Sequence, residues 1–99
     1  MVIKFDVKCE KEIDDIFLWY EFQKSDLGLE FIFNLNNELN FIQEHPKASN
    51  KIYKNLRRHI VKKFPYNIYY YFSENKSEIK ILALLHESRN QSILKERMN

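Results

Sequence analysis

The sequence predicts an α+β fold in the order β-α-α-β-β-β: a helical hairpin packed on a small, mostly antiparallel sheet, followed by a short C-terminal helix or tail. Three observations carry this expectation. The apolar period changes from two residues to about 3.6 near Glu10 and returns to strand character near Arg57. A short turn, SDLG (25–28), separates two amphipathic helical patterns, which makes them an antiparallel hairpin. The stretch EIKILALLH (78–86) is apolar on both faces, as a central strand is.

Each element has its own signal. VIKFDV (2–7) alternates and reads as a strand. Ile13, Ile16, Phe17 and Tyr20 then fall at i, i+3, i+4 and i+7, one face of a helix that ends near Lys24. Glu12, Asp14 and Asp15 read as its solvated face. Asp26 is the candidate N-cap of the second helix, which opens at Leu29 and Glu30. Ile32, Leu35, Leu39 and Ile42 continue it, and Pro46 stops it by disfavouring helical geometry at His45. Residues 47–55 are polar and basic without periodicity. RRHIVKKF (57–64), YNIYYYFS (66–73) and EIKILALLH (78–86) read as strands, with ENKS as a hairpin loop longer than a two-residue turn. QSILKERMN is a short terminal helix or a frayed tail.

The chain has 99 residues, which is room for a single domain over 1–99. At 44% hydrophobic and 30% charged it is a globular composition, and its apolar runs are too short and too interrupted by charge to suggest a signal peptide or a membrane span. Cys9 stands alone, so no internal disulfide forms, and a reducing cytoplasm is the expected location. Gly28 is the one glycine, which excludes a P-loop, a dinucleotide-binding turn and a nucleophile elbow. His45, His59, His86 and Cys9 lack metal-ligand spacing. Neither a metal nor another cofactor is expected.

The net charge of +2 conceals an asymmetry. Residues 1–46 carry 4 basic and 10 acidic side chains, residues 47–99 carry 12 basic and 4 acidic. The densest run, 47–63, holds Lys47, Lys51, Lys54, Arg57, Arg58, Lys62 and Lys63 with no acid. Such a run is either a solvated face or a local positive field for phosphate or an acidic protein segment. The aromatic stretch that follows divides by alternation. Tyr66, Ile68, Tyr70 and Phe72 point one way, onto the helices. Asn67, Tyr69, Tyr71 and Ser73 point the other, onto an expected open face of the sheet.

Four stretches together resemble the RelE/ParE superfamily, the toxins of bacterial type II toxin–antitoxin pairs. They are EIDDIFLWYEFQ (12–23), GLEFIFNLNNELNFIQEHP (28–46), RRHIVKKFPYNIYYYF (57–72) and IKILALLHESRN (79–90). The FPYxIYY core followed by an aliphatic strand ending in HxxR is the most specific part. The resemblance implies a growth-arresting toxin neutralised by a cognate antitoxin in a hetero-oligomer. It also implies one of two targets. RelE-like members are ribosome-dependent endoribonucleases that cut messenger RNA; ParE-like members block DNA gyrase without being known as enzymes.

A ribonuclease needs a base, an acid and positive charge around one phosphate. His86, Arg89 and Arg58 are the catalytic candidates under that reading, with Arg57, Arg58, His59, Lys62, Lys63 and Arg89 as target- or phosphate-binding residues. His86 also fits a hydrogen-bonded structural histidine, and His59 reads more simply as solvated. Tyr69, Tyr71, Lys54 and Arg57 are the antitoxin-binding candidates. Glu87 follows His86 where several ribonuclease members place an aromatic, and residues 88–99 contain none. HxxR here resembles the ParE-like and plasmid-stabilisation members more, so target blocking, with gyrase as the plausible target, is the favoured expectation. RNA cleavage is the alternative, and a domain that only binds its antitoxin is a third.

Overall fold

The computed structural model describes residues 1–98. The order is β1 (Val2–Phe5), α1 (Val7–Gln23), α2 (Leu27–Glu44), β2 (Asn50–Tyr53), β3 (Leu56–Ile60), β4 (Tyr66–Ser73), β5 (Glu78–His86) and α3 (Ser92–Met98). The strands form one sheet in the order β1-β5-β4-β3-β2. β1 runs parallel to β5, and the other neighbours are antiparallel. The predicted α+β class and element order stand, with β2 as an added edge strand. That strand is four residues long, NKIY, too short to show a period, and a turn with Lys54 at φ 50° folds it against β3.

Two strand boundaries and one helix cap differ from the expectation. β1 stops at Phe5 because Asp6 caps α1, its carboxylate accepting the Lys8 N–H at 2.9 Å. Asp26, expected to cap α2, sits at φ 70° and makes no side-chain cap bond. Glu21 does that work from α1. Its Oε1 accepts the N–H groups of Gly28 (2.7 Å) and Leu29 (3.3 Å), and its Oε2 accepts that of Asp26 (3.4 Å). The two helices cross closely there: a Cβ on Gly28 would stand 2.6 Å from both the Phe17 carbonyl oxygen and the Glu21 Cγ. β3 ends at Ile60 instead of running to Phe64, since Lys63 at φ 70° turns the chain ahead of β4. Val61 and Phe64 are nevertheless folded into the core.

Two apolar layers sandwich the sheet. On one face α1 and α2 bury Cys9, Ile16, Tyr20, Phe31, Leu35, Leu39 and Ile42 against Ile68, Tyr70, Ile79, Ile81 and Leu84. Tyr66 and Phe72 pack onto the same layer, so the predicted row meets the helices. Tyr20, Phe31, Phe64 and Tyr66 meet there mostly edge to face, with centroids 5.0–6.4 Å apart. On the other face α3 lays Leu94 against Leu56, Tyr69, Leu82, Ala83 and Leu85. Leu82 and Ala83 are consecutive yet share this face, because the β4–β5 register shifts between Tyr69 and Tyr70.

Glu12 does not lie on the solvated face expected of it. It binds Arg97 of α3 through two bonds of 2.8 Å, and it also accepts the Leu84 N–H at 3.3 Å. Cys9 is fully buried beside this pair. Burial, reinforced by the Glu12 carboxylate, pushes its thiol from an ordinary 9.0 up to about 12. A raised folded-state value means the neutral thiol is favoured in the fold. Its contribution is fully present below pH 9 and is lost as pH rises towards 12. Urea denaturation between pH 8 and 10.5 should therefore show the wild type losing up to about 1.4 kcal/mol per pH unit above pH 9 relative to Cys9→Ala. Parallel curves for the two proteins would show that the thiol has no part in it.

Candidate functional site at the cationic end of the sheet

Register brings the β3–β4 turn and the end of β5 together. Tyr66 pairs with His86, and the Glu87 N–H donates to the Pro65 carbonyl at 2.8 Å. Lys62, Lys63, His86 and Arg89 are all exposed around this end. His86 Nδ1 accepts the Ser88 N–H at 3.1 Å and lies 2.8 Å from Ser88 Oγ. Its ring stands edge to face against Tyr66 at 5.3 Å. The Arg89 N–H closes the turn on the His86 carbonyl at 2.9 Å.

Pairing across β3 and β4 then assigns faces. Arg58 opposes Tyr69, and so lies on the α3 face; Arg57 opposes Tyr70 and His59 opposes Ile68, on the hairpin face. His86 opposes Tyr66, also on the hairpin face. The sheet therefore stands between Arg58 and His86. Arg57 is engaged internally, its Nη1 donating to the carbonyls of Lys47 (3.0 Å) and Ser49 (2.7 Å), which pins the chain between α2 and β2.

His59 is not solvated. Its side chain is 14% exposed, and Nε2 lies 2.8 Å from Glu38 Oε1. Glu38, buried in α2, also accepts the Lys62 N–H at 3.0 Å through Oε2. The sequence reading missed Glu38, although it sits three residues after Leu35 and four before Ile42, on the apolar stripe of α2. A carboxylate in such a place needs internal partners, and His59 is one.

The expected open face of the sheet is covered. Residues 92–98 fold as α3, Tyr69 is 1% exposed beneath it, and its hydroxyl accepts a bond from Gln91 Nε2 at 3.2 Å. Tyr69 accordingly presents no contact surface in this chain. Tyr71 lies beyond the edge of α3 and stays partly accessible. It shares a cleft of ≈ 420 Å³ with Tyr53, Lys54, Asn55, Lys95 and Met98. Burial there, together with Tyr53, raises the Tyr71 phenol above its ordinary value.

A second surface escaped the sequence reading. Leu18, Trp19 and Phe22 of α1 and Leu29 and Phe33 of α2 are exposed, Phe22 at 87%. The signal was present as two i, i+4 apolar pairs, Leu18–Phe22 and Leu29–Phe33, lying off the core-facing stripes. Among the described residues, no three His, Cys, Asp or Glu side chains are grouped to hold a metal ion, and no helix is long and apolar enough to cross a membrane.

Comparison with known proteins agrees with this architecture. Among curated proteins no sequence matches. A chain of the chromosomal ParDE toxin–antitoxin system from P. aeruginosa is similar in structure with a TM-score of 0.74 at 16% identity, over 87% of this chain and 95% of that one. The isolated E. coli RelE toxin is similar with a TM-score of 0.64 at 14% identity, over 98% of this chain and 94% of that one. At such identities the likeness is one of fold. The family model of the ParE toxin of type II toxin–antitoxin system, parDE, matches residues 3–91. With that match spanning nearly all of the sheet and the helical hairpin, the chain belongs to the ParE toxin family of type II toxin–antitoxin systems.

Proposed function

We propose that this toxin arrests growth in the cytoplasm by binding and blocking DNA gyrase, and that a cognate antitoxin neutralises it. The observation that carries the choice of target is the placement of Arg58 and His86 on opposite faces of the sheet, with His59 engaged by Glu38. RNA cleavage requires a proton acceptor, a proton donor and a cation converging on one phosphate. Here Arg58 lies across the sheet from His86, and Glu87 adds an exposed negative charge beside His86. What remains is a cationic end of Lys62, Lys63 and Arg89, with Arg58 exposed on the other face, an arrangement suited to binding without chemistry. Purified toxin is expected to inhibit supercoiling by gyrase and to leave messenger RNA intact on programmed ribosomes. Cleaved message with unimpaired supercoiling would reverse the assignment.

For the antitoxin, the cleft of Tyr53, Lys54, Tyr71, Lys95 and Met98 sets two tyrosine rings and a methionine beside two lysines, which suits an acidic segment carrying apolar side chains. The neighbouring Lys51 and Arg57 extend the positive field, while Lys47 is paired with Glu74. Association should slow as salt rises, because screening shortens the reach of that field to about 8 Å at 0.15 M. Stopped-flow association rates that are equal at low and high salt would remove the run from recognition.

A further inference from the structure

Ser49, His59 and Glu38 form a hydrogen-bonded chain. Ser49 Oγ lies 2.8 Å from His59 Nδ1, and His59 Nε2 lies 2.8 Å from Glu38 Oε1. A neutral imidazole donates through one nitrogen and accepts through the other, and the tautomer that donates from Nε2 to the Glu38 carboxylate has Nδ1 as its acceptor. Nδ1 is left with its lone pair facing the serine hydroxyl. In that tautomer the ring faces Ser49 as a base, the relation of nucleophile, base and orienting group that activates a serine.

Each member is held independently. Glu38 Oε2 accepts the Lys62 N–H at 3.0 Å from within the core. The imidazole stacks on Phe41 with centroids 5.4 Å apart and planes at 27°. The Ser49 carbonyl is bound by Arg57 at 2.7 Å, which fixes the backbone that carries the hydroxyl. The chain is also accessible. β2 begins only at Asn50, opposite Arg58, so His59 and Ile60 of β3 have no strand outside them. A cleft of ≈ 290 Å³ opens there, lined chiefly by Phe41, Ser49, Asn50, Arg58, His59 and Ile60. The Phe41 ring lies on the His59 side of this cleft, and Ile60 and Arg58 border it around the unpaired edge of β3.

We propose that Ser49 is an activated nucleophile that hydrolyses a small carboxylic ester bearing an anionic group. The acyl part rests against Phe41 and Ile60, and the anionic group faces Arg58. Ser49 Oγ bonds to the carbonyl carbon while its proton passes to His59 Nδ1. The ester C–O bond then breaks, and the departing alkoxide takes that proton. Water repeats the sequence, giving its proton to Nδ1 and its oxygen to the acyl carbon, and Ser49 regains the proton as the acid leaves. Glu38 faces the imidazolium formed in each half and acts as a positioning residue.

The test uses the full chain with an alkyl fluorophosphonate, which loses fluoride as Ser Oγ bonds to phosphorus, and with p-nitrophenyl acetate. One label on Ser49 is expected in the native protein by mass spectrometry, absent from Ser49→Ala and from wild type unfolded in urea. His59→Gln should slow labelling by about 10²-fold or more, the usual contribution of a general base. Glu38→Gln should lower kcat for p-nitrophenyl acetate with KM unchanged, which a purely structural carboxylate would not produce. No label, a label on another residue, equal labelling of native and unfolded chains, or undiminished labelling of folded His59→Gln overturns the proposal. The native-against-urea comparison needs no variant, and none of these outcomes depends on gyrase or the antitoxin.

Discussion

Arg97→Ala is expected to destabilise the chain by about 3–5 kcal/mol, the usual result of removing one partner from a buried ion pair. The arginine side chain is 5% exposed and its Glu12 partner 19%, and they meet through two bonds of 2.8 Å. The pair stands where a strand is missing. β1 reaches only Phe5, opposite Ile81, so the outer edge of β5 beyond that point has no neighbour. Glu12 takes the Leu84 N–H at 3.3 Å, and Arg97 donates to the Leu82 carbonyl at 3.3 Å. Two backbone groups that a sixth strand would have bonded are satisfied by side chains from α1 and α3.

Truncation at Arg97 would leave the Glu12 carboxylate unpaired and free α3 to leave Leu82, Ala83 and Tyr69. Because small domains have only about 5–15 kcal/mol of stability, the loss is a large fraction of the whole. At roughly 4–8 °C per kcal/mol for a domain of this size, the midpoint of thermal unfolding should fall by about 12 °C or more. Circular dichroism would measure it. Glu12→Gln combined with Arg97→Met should recover much of the loss, since it leaves no charge behind. A fall of under about 1 kcal/mol in Arg97→Ala alone would show that the pair is not what holds α3.

The second large effect concerns function. Substituting Arg58 and Arg89 together with alanine should abolish growth arrest while leaving the fold intact. Both side chains are exposed, and neither makes a side-chain bond to another described residue within ordinary hydrogen-bond distance, so stability should move by about 0.5 kcal/mol or less. Each guanidinium that pairs with target charge contributes about 2–5 kcal/mol when truncated, so losing two weakens target binding by roughly 10³-fold or more. Growth after induction, supercoiling inhibition and circular dichroism would be read together. Full arrest by a folded double variant would remove both arginines from the target surface.

How far the sequence reaches depends on the distance over which each residue's environment is set. The two helical stripes, the turn between them and the aliphatic β5 are local patterns, so their type and order are legible. Edge strand β2 has no pattern of its own and exists because β3 is there to pair with it. The cap of α2 comes from Glu21, five residues before Asp26, and is made possible only by the close crossing at Gly28. Arg57, Arg58 and His59 look alike as a basic run, yet pleating sends Arg58 to one face and its two neighbours to the other. One of those neighbours then serves the backbone and the other a buried acid.

The aromatic stretch from Phe64 to Phe72 shows the division most clearly. Its alternation by itself determined that Tyr66, Ile68, Tyr70 and Phe72 meet the helices, since a period of two assigns faces once one face is apolar. The sequence likewise determined the family resemblance, through the order of its elements and the HxxR that ends β5. Only the tertiary structure decided the fate of the opposite row. Seven residues of α3, held by Arg97 to a glutamate 85 positions earlier in the chain, cover Tyr69 and leave Tyr71 at the rim of a cleft. That choice rests on a contact between the two ends of the chain, and no local pattern in either end records which surface the other will cover.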